Sequence, residues 1–332
     1  MADLPETGVR PSPPFAVVGV DFAGPFTRKP DIRSRSKTEL KAYIAVFVCF
    51  STKAVHLDTV SDLSTPAFLA CFKRFVSRRG LPQIMYSDNG TNFVGAYNEL
   101  NRQFDNIMRE PIVQNFSLAH NVEWRFNPPA APHMGGLWES AVRIMKNYLY
   151  RIIGTQRLVL DELTTFITEV EAIMNSRPLV PLTSNVNPDA LTPGHFLIGR
   201  PLVALPEEYT EASNISSIQR WKLVNQLRNH FWRRWSDEYL RSLQKRTKWC
   251  TPAAQPVQIN NIVLVSDKQS PPLVWPLGRI TKLYPGKDGQ IRVVDLITRN
   301  GASLKRPVVK LIPLISAASS PDDSVSGGGM SR

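Results

Sequence analysis

Near-continuous apolar runs occupy residues 15–22 and 42–50. Both are rich in β-branched and aromatic residues and are bounded by polar loops, which predicts buried strands. A third strand is expected at 54–60, where apolar and polar positions alternate. Shorter strands are expected at 84–86 and 122–126. These five segments predict a sheet in the first half of the chain.

Apolar residues at helical spacing follow several of these strands. Ser64 supplies an N-cap for a helix that closes at Gly80. A second helix is expected over 137–153, and a third begins at Asp161, taken as its cap, and ends before Pro178. Three antiparallel-type strands, a helix, a parallel-type strand and further helices predict a mixed α/β layer fold.

The pattern changes in the last third of the chain. Residues 216–246 form a long helical candidate in which aromatic and basic residues are interleaved. Short apolar runs then alternate with turn signals at 285–289 and 299–301, which predicts a small β-barrel. The expected organisation is an N-terminal extension (1–14), a catalytic α/β core (15–200), a helical linker (201–256), a basic β-barrel (257–313) and a disordered tail (314–332).

Composition limits the class of protein. With 332 residues, 42% of them hydrophobic, the chain can bury at least one full core. It has no apolar run of about 18 residues and no signal-peptide pattern, so we expect no membrane partner. The three cysteines are scattered and form no C-x-x-C pair, so neither a disulfide framework nor structural zinc is expected.

The positive charge is concentrated in the C-terminal third. The net charge is +12, but residues 1–219 hold 21 Lys and Arg against 21 Asp and Glu. Residues 220–248 hold nine against two, and residues 257–312 hold nine against three. A neutral body beside a basic region suggests that one part carries out chemistry and the other binds a phosphate backbone. A solubilising surface is the alternative explanation.

Three acidic residues stand at the ends or centres of predicted elements. Asp21 lies inside an apolar strand, where an unpaired carboxylate is costly. Asp88 ends a buried strand, and considered alone it could simply stabilise the turn that follows. Glu139 lies in the first turns of a helix, and considered alone it could be an ordinary solvated charge. Together, the three can converge on two Mg²⁺ or Mn²⁺ ions, which catalyse in-line displacement at phosphorus.

Basic residues near these acids are candidate DNA contacts. Arg143 and Lys146 follow Glu139 at i+4 and i+7 on one helix face, although an exposed basic stripe explains them equally well. His133 precedes this helix and could be an ordinary loop histidine. The long helix should dock on the catalytic domain or a second subunit while its arginines line the DNA path. An amphipathic connector with solvated arginines is the alternative. The C-terminal candidates are Arg228, Arg233, Arg234, Arg241, Arg279, Lys282, Arg292, Lys305 and Arg306.

The sequence around the acids is distinctive. Residues 18–25 read VGVDFAGP, residues 87–96 read SDNGTNFVGA and residues 132–139 read PHMGGLWE. In these segments the chain resembles the integrases of BEL/Pao-type LTR retrotransposons, which are relatives of retroviral integrases. The resemblance resumes in WPLGR at 275–279 and YPGKDG at 284–289, and it covers roughly nine-tenths of the chain.

The resemblance implies an RNase H-like catalytic fold with Asp21, Asp88 and Glu139 as the metal-binding acids. It also implies that Asn92 and Lys146 contact the ends of the element's DNA. The partners would be double-stranded DNA, both element ends and target, and further copies of this chain. The place of action would be the nucleus, reached from the cytoplasm.

Two departures from the retroviral pattern affect these expectations. Fifty residues separate Asp88 from Glu139, which is longer than in retroviruses but similar to this retrotransposon group, so Glu139 is preferred over Glu123. The paired histidines and cysteines of the N-terminal zinc module of full integrases have no counterpart here. The chain is therefore expected to be a polyprotein fragment or a domesticated copy, without zinc.

Three functional hypotheses follow. The favoured one is an enzyme that performs 3′-end processing and strand transfer without a covalent enzyme intermediate. The second is a catalytically idle DNA- or chromatin-binding remnant that keeps only the basic C-terminal third. The third, another RNase H-like nuclease or transposase, explains the acids but not the C-terminal motifs.

Overall fold

The structure is a computed structural model. It describes residues 12–31, 39–88, 90–108, 122–126, 136–154, 156–182, 187–205, 217–243, 257–267 and 270–314, and within these ranges the side chains of 103–108, 136–142 and 217–219 are not described. His133, most of the predicted N-terminal extension and nearly all of the predicted tail lie outside the described residues. Within the described ranges, no helix is long and apolar enough to cross a membrane.

The chain begins with three strands, continues with helices and strands in mixed order, and ends with five strands. In order they are β1 (Val17–Arg28), β2 (Leu40–Cys49), β3 (Val55–Val60), α1 (Thr65–Arg79), β4 (Ile84–Ser87), α2 (Thr91–Met108), β5 (Glu123–Phe126), α3 (Gly136–Ile153), α4 (Leu160–Asn175), β6 (Val180–Leu182), β7 (Asp189–Leu191), α5 (Pro193–Ile198), α6 (Ser217–Leu243), β8 (Ile262–Val265), β9 (Leu277–Pro285), β10 (Ile291–Thr298), β11 (Ser303–Pro307), a 3₁₀ turn (Val308–Lys310) and β12 (Leu311–Pro313).

These elements form two compact units. The first comprises Met1–Arg177, Thr192–Arg241 and Lys268–Val274, and the second comprises Pro178–Leu191, Ser242–Asp267 and Trp275–Arg332. Nearly all of α6, which we predicted to be part of a linker, therefore belongs to the first unit.

The first unit is built on a five-stranded mixed sheet in the order β3-β2-β1-β4-β5. The pairs β1–β2 and β2–β3 are antiparallel, whereas β1–β4 and β4–β5 are parallel. The five strands lie where the apolar runs predicted them. The mixed α/β, RNase H-like sheet with flanking helices is confirmed.

Aromatic side chains fill one side of this sheet. Phe47 of β2 stacks on Phe75 of α1 with ring centroids 4.3 Å apart, and Phe22 of β1 stacks on Phe93 of α2 at 5.1 Å. Val18 and Val20 belong to the same buried cluster. Since successive strand residues point to opposite faces, Gly19, Asp21 and Ala23 face the other side.

Side chains of α4 satisfy the free edge of β3. Asn175 accepts a hydrogen bond from the Val55 N–H at 2.8 Å and donates one to the Val55 carbonyl at 2.7 Å. Glu171 accepts one from the Leu57 N–H at 2.8 Å. Unpaired edge groups are both costly to bury and open to pairing with other chains, so α4 closes this edge.

The buried carboxylate of Glu171 is stabilised as an anion. Burial alone would raise the pKa of Glu171, but hydrogen bonding to His56, the charges of His56 and Arg79, and the Leu57 N–H together lower it. This cluster fastens α4 to β3 and α1.

The long helix α6 packs against α3 and α4. Arg220 forms a two-pronged ion pair with Glu162 of α4 at 2.5 Å, and Glu238 accepts a hydrogen bond from Tyr148 of α3 at 2.7 Å. Burial and the neighbouring Glu238 raise the pKa of Tyr148. Phe231 contacts the Tyr148 ring edge-on and is fully buried, so the apolar face of α6 is part of the first unit's core.

The second unit contains a five-stranded antiparallel sheet in the order β11-β10-β9-β8-β12 and a two-stranded ribbon of β6 and β7. Its core comprises Val257, Val263, Val265, Ile280, Val294, Leu296 and Leu311. Tight turns at Gly289 and Gly301, both with positive φ, connect β9 to β10 and β10 to β11 as the sequence predicted. Among the described strands β11 and β12 do not pair, so the structure shows the predicted strands without a closed barrel.

Two features differ from the sequence predictions. The helix α4 begins at Leu160 with Val159 as its N-cap residue, and Asp161 lies in its first turn rather than at the cap. The reason is a hydrogen bond from the Val159 N–H to Glu162, which closes the helix start two residues earlier than expected. The helix α2 was not predicted, because Gly95 and several asparagines weaken its propensity.

Asn175→Ala tests the closure of the β3 edge. It leaves both backbone groups of Val55 without partners, so the free energy of unfolding should fall by about 2–4 kcal/mol. Urea unfolding followed by tryptophan fluorescence measures this. Thr168→Ala on the exposed face of α4 is the control and should change stability by less than about 0.5 kcal/mol. Equal losses in both variants would contradict the role of Asn175.

Candidate active site

Asp21 lies near the middle of β1, opposite Val46 of β2. Its side chain is 33% exposed, and its Oδ1 accepts a hydrogen bond from the Phe22 N–H at 2.6 Å. A carboxylate on a central strand but still open to solvent can bind a cation without being fully desolvated.

Asp88 directly follows β4, the parallel neighbour of β1. Val17 pairs with Ile84 and Gly19 with Tyr86. If this register is continued for two more residues, Asp21 lies beside Asp88. Neighbouring strands are about 4.8 Å apart, so the two acids start from adjacent backbone positions at one end of the strand pair. Asp88 is exposed, and its Oδ1 accepts a hydrogen bond from the Gly90 N–H at 3.0 Å.

The helix α3 brings Lys146 to Asp21. The Lys146 ammonium donates to Asp21 Oδ2 at 2.5 Å. Met145 and Leu149 are fully buried, and the Tyr150 hydroxyl bonds both the N–H and the carbonyl of Gly24 at 2.8 and 2.6 Å. These contacts fix α3 against β1 on both sides of Lys146.

Glu139 belongs to α3, seven residues before Lys146. This spacing puts the two on the same helix face, about 10 Å apart along the axis. The Glu139 side chain is not among those described, so the structure does not show the three acids together. The described side chains include no group of three or more His, Cys, Asp or Glu that could hold a metal. Glu123, the rejected alternative, is exposed on β5 and pairs with Arg125 at 2.7 Å.

Asn92 lies in the first turn of α2, beside Asp88. It is only 8% exposed, and its Nδ2 has no hydrogen-bond partner among the described residues. A Cβ atom on Gly90 would approach Asn92 Oδ1 to 2.8 Å and Asp88 Oδ1 to 3.0 Å. The glycine therefore allows the two polar side chains to approach the same turn.

The arginines of α6 have unequal surroundings. Arg228 is 7% exposed and pairs with Glu169 of α4 at 3.2 Å, which leaves it poorly placed to meet a phosphate. Arg233 and Arg234 are exposed. Arg241 is exposed and forms an i,i+4 ion pair with Asp237. On α3, Arg143 is also exposed.

In the second unit, an aromatic ring lies between two lysines on the face of the sheet opposite its core. Asp295 of β10 is opposite Lys282 on one side and Lys305 on the other. Their ammonium groups lie 5.2 and 4.3 Å from the ring centroid of Tyr284. The Tyr284 hydroxyl donates to Asp295 at 2.6 Å. Both lysines were predicted from the sequence as DNA contacts, but Tyr284 and Asp295 were not. Strand alternation places Tyr284 on the face of Lys282, whereas the position of Asp295 depends on the pairing of β9 with β10.

The other basic candidates of this unit have different surroundings. Arg279 is opposite Ile297 and so shares the face of Asp295. Arg306 is exposed on β11 but is opposite Val294, a core residue, and so lies on the other face. Arg292 is exposed and paired with Asp288 at 2.6 Å. Hydrogen bonding from Arg292 lowers the pKa of Asp288 to about 2.

Comparison with known proteins gives a family and several structures. A model described as a family of unknown function (DUF5641) matches residues 219–314. No curated protein matches the chain. A chain from the structure of the simian T-cell lymphotropic virus intasome in complex with the PP2A regulatory subunit B56 gamma is 13% identical, over 96% of this chain and 85% of that chain, with a TM-score of 0.34.

Two structures of the HTLV-2 integrase catalytic core domain in complex with magnesium also match. The trimeric form is 18% identical and the dimeric form 16%, each over 57% of this chain and 99% of that chain, with TM-scores of 0.34. The fold assignment rests on the order and register of β1–β5 rather than on these superpositions.

Gly90→Ala tests the packing around Asp88. The added methyl group would displace Asp88 or Asn92, so divalent-cation affinity should fall about tenfold, as is typical when the support of a ligand is lost. Mn²⁺ titration calorimetry measures the affinity. Thr91→Ala, at an exposed neighbouring position, is the control. Unchanged Mn²⁺ affinity in Gly90→Ala would show that the turn does not position a ligand.

Proposed function

We propose that this chain is the DNA-handling part of an integrase that cleaves a DNA 3′ end and joins it to a second DNA strand. The observation that carries the proposal is the register of β1 and β4, which leads to Asp21 and Asp88 at one end of the strand pair. It is supported by Lys146, a cation already bound to Asp21. The motifs around these residues further favour the BEL/Pao type.

The residues present fit a site for divalent cations. Asp21 and Asp88 offer carboxylate oxygens open to solvent, and Mg²⁺ prefers such ligands. The Lys146 ammonium marks a position near Asp21 where positive charge is stabilised. Glu139 would complete the ligand set from α3. Two bound Mg²⁺ or Mn²⁺ ions would supply activation of the attacking oxygen and stabilisation of the leaving oxygen.

The remaining residues would position the DNA end. Asn92 lies beside Asp88, and its Nδ2, which has no hydrogen-bond partner in the part of the chain that the structure describes, can donate to a phosphate or base oxygen. Arg143 projects from the same helix as Lys146. His133 is proposed for the same role on sequence grounds alone. The nucleophile is water in the first step and a DNA 3′-hydroxyl in the second, without a covalent bond to the protein.

Basic residues in the C-terminal third would bind DNA phosphates at a distance from Asp21, Asp88 and Glu139. Lys282 and Lys305 lie over the ring of Tyr284, and Arg279 lies on the same face of the sheet. Arg306 is exposed on β11 but lies on the other face, opposite Val294, and would contribute from there. Arg292 would also contribute. In α6 we retain Arg233, Arg234 and Arg241. We leave out Arg228, because Glu169 already holds it in a buried pair. We also propose that several copies of this chain act together on DNA in the nucleus.

Asp21→Asn and Asp88→Asn test the chemistry. Each removes an anionic ligand, so cleavage and joining of the element's terminal duplex in Mg²⁺ or Mn²⁺ should fall to background while the melting temperature changes little. Denaturing gels measure the products. Asp161→Asn, at an exposed position of α4, is the control and should retain activity.

Wild-type rates in either variant would refute the assignment of these acids. A wild-type chain that binds DNA but forms no product with either metal would instead be the idle DNA-binding remnant.

The double variant Lys282→Gln/Lys305→Gln tests the sheet surface of the second unit. If each lysine contacts one phosphate, the slope of log affinity against log salt for duplex DNA should become shallower by about 1.8. Lys310→Gln, an exposed lysine of the 3₁₀ turn, should change the slope by less than about 0.3. Fluorescence anisotropy of the full chain at several salt concentrations measures both. An unchanged slope in the double variant would exclude this surface from the DNA path.

A further inference from the structure

We propose that Lys146 is an exchangeable cation: it holds Asp21 when no divalent ion is bound there, and it is released to a DNA phosphate when one binds. This inference rests on the proposed function, since it takes Asp21 to be a metal ligand. It adds an order of events, in which the divalent ion binds first and Lys146 contacts DNA afterwards.

The geometry at Asp21 makes the two cations competitors. Oδ2 accepts from the Lys146 ammonium at 2.5 Å, and Oδ1 accepts from the Phe22 N–H at 2.6 Å. Mg²⁺ binds carboxylate oxygens at about 2.1 Å. A divalent charge that close to Oδ2 would repel an ammonium group bound to the same oxygen. Lys146 must therefore withdraw when the carboxylate becomes a ligand.

The Asp21–Lys146 pair is suited to opening. The two side chains are 33% and 22% exposed, so water can replace each partner. Exposed ion pairs of this kind contribute little to stability. The pair between Arg79 and Glu171 is different, because Glu171 is more deeply buried and is also held by His56 and the Leu57 N–H. A permanent structural ion pair would resemble the pair between Arg79 and Glu171.

Only the side chain of Lys146 needs to move. Met145 and Leu149 are buried, and Tyr150 is tied to Gly24 by two hydrogen bonds, so α3 stays on β1 when the ion pair opens. The released ammonium remains within a side chain's length of Asp21. A phosphate oxygen that reaches the acids would then find a charged donor.

The exchange makes two binding events depend on each other. Without a divalent ion, Lys146 is occupied by Asp21 and adds little to DNA affinity. With the ion bound, it becomes available to phosphate. Because such coupling is reciprocal, DNA that engages Lys146 should also favour binding of the divalent ion.

The first measurement is Mn²⁺ affinity of the full chain without DNA, by titration calorimetry. Lys146→Gln removes the competing cation, so Mn²⁺ should bind about three- to tenfold more tightly than in the wild type. Arg151→Gln removes a charge from an exposed position of the same helix and should leave the affinity within about twofold. Asp21→Asn should abolish the binding.

The second measurement is affinity for a short duplex, by fluorescence anisotropy, in Ca²⁺ and in EDTA. Lys146→Gln should weaken binding about threefold or more in Ca²⁺ and leave it unchanged in EDTA. A lysine in permanent contact with DNA would lose affinity in both conditions, and a purely structural lysine in neither. Either of these results would overturn the exchange.

The outcomes also separate this inference from the proposed function. If Asp21→Asn abolishes Mn²⁺ binding but Lys146→Gln leaves both measurements unchanged, the metal site stands and the exchange is wrong. If Asp21→Asn binds Mn²⁺ as the wild type does, Asp21 is not a ligand and both proposals fail.

Discussion

Parallel pairing between β1 and β4 determines where the candidate site can be. Asp21 and Asp88 are distant in sequence, and only this register brings them to neighbouring strand positions. The packing of β1 favours this register, because Val20 and Phe22 pack among the aromatic residues while Asp21, between them, faces the other side. A slip of one residue would turn the carboxylate into that aromatic cluster, so the hydrophobic core and the site depend on the same constraint.

A second constraint acts on Asp21 itself, whose charge lies on a central strand. Lys146 balances this charge in the structure, and it can do so because Tyr150 fastens α3 to Gly24 one helical turn further on. The same helix carries Glu139. Glu139 and Lys146, the residue that pairs with Asp21, therefore lie on the same helix.

The sequence predicted the parts of this structure that depend on local pattern. The five strands of the first sheet follow from apolar runs, and Asp21 was conspicuous as a charge within one of them. Contacts between distant segments could not be predicted in the same way. Nothing in the sequence indicates that Lys146 pairs with Asp21, or that Arg228 is buried against Glu169. The helix α2 was missed because packing of Phe93 against the sheet outweighs its weak intrinsic propensity.

Pairing within the protein also changes what the net charge means. Arg220 and Arg228 of α6 are engaged by Glu162 and Glu169 of α4, so part of the basic charge of this helix binds α6 to the first unit. In the second unit, Asp295 partly offsets the charges of the two lysines around Tyr284. Under the proposed function, the charge that could bind DNA is therefore smaller than the net charge of +12 suggests. Exposed basic residues such as Arg234 of α6 and Arg306 of β11 would then be candidate phosphate contacts, each within its own unit.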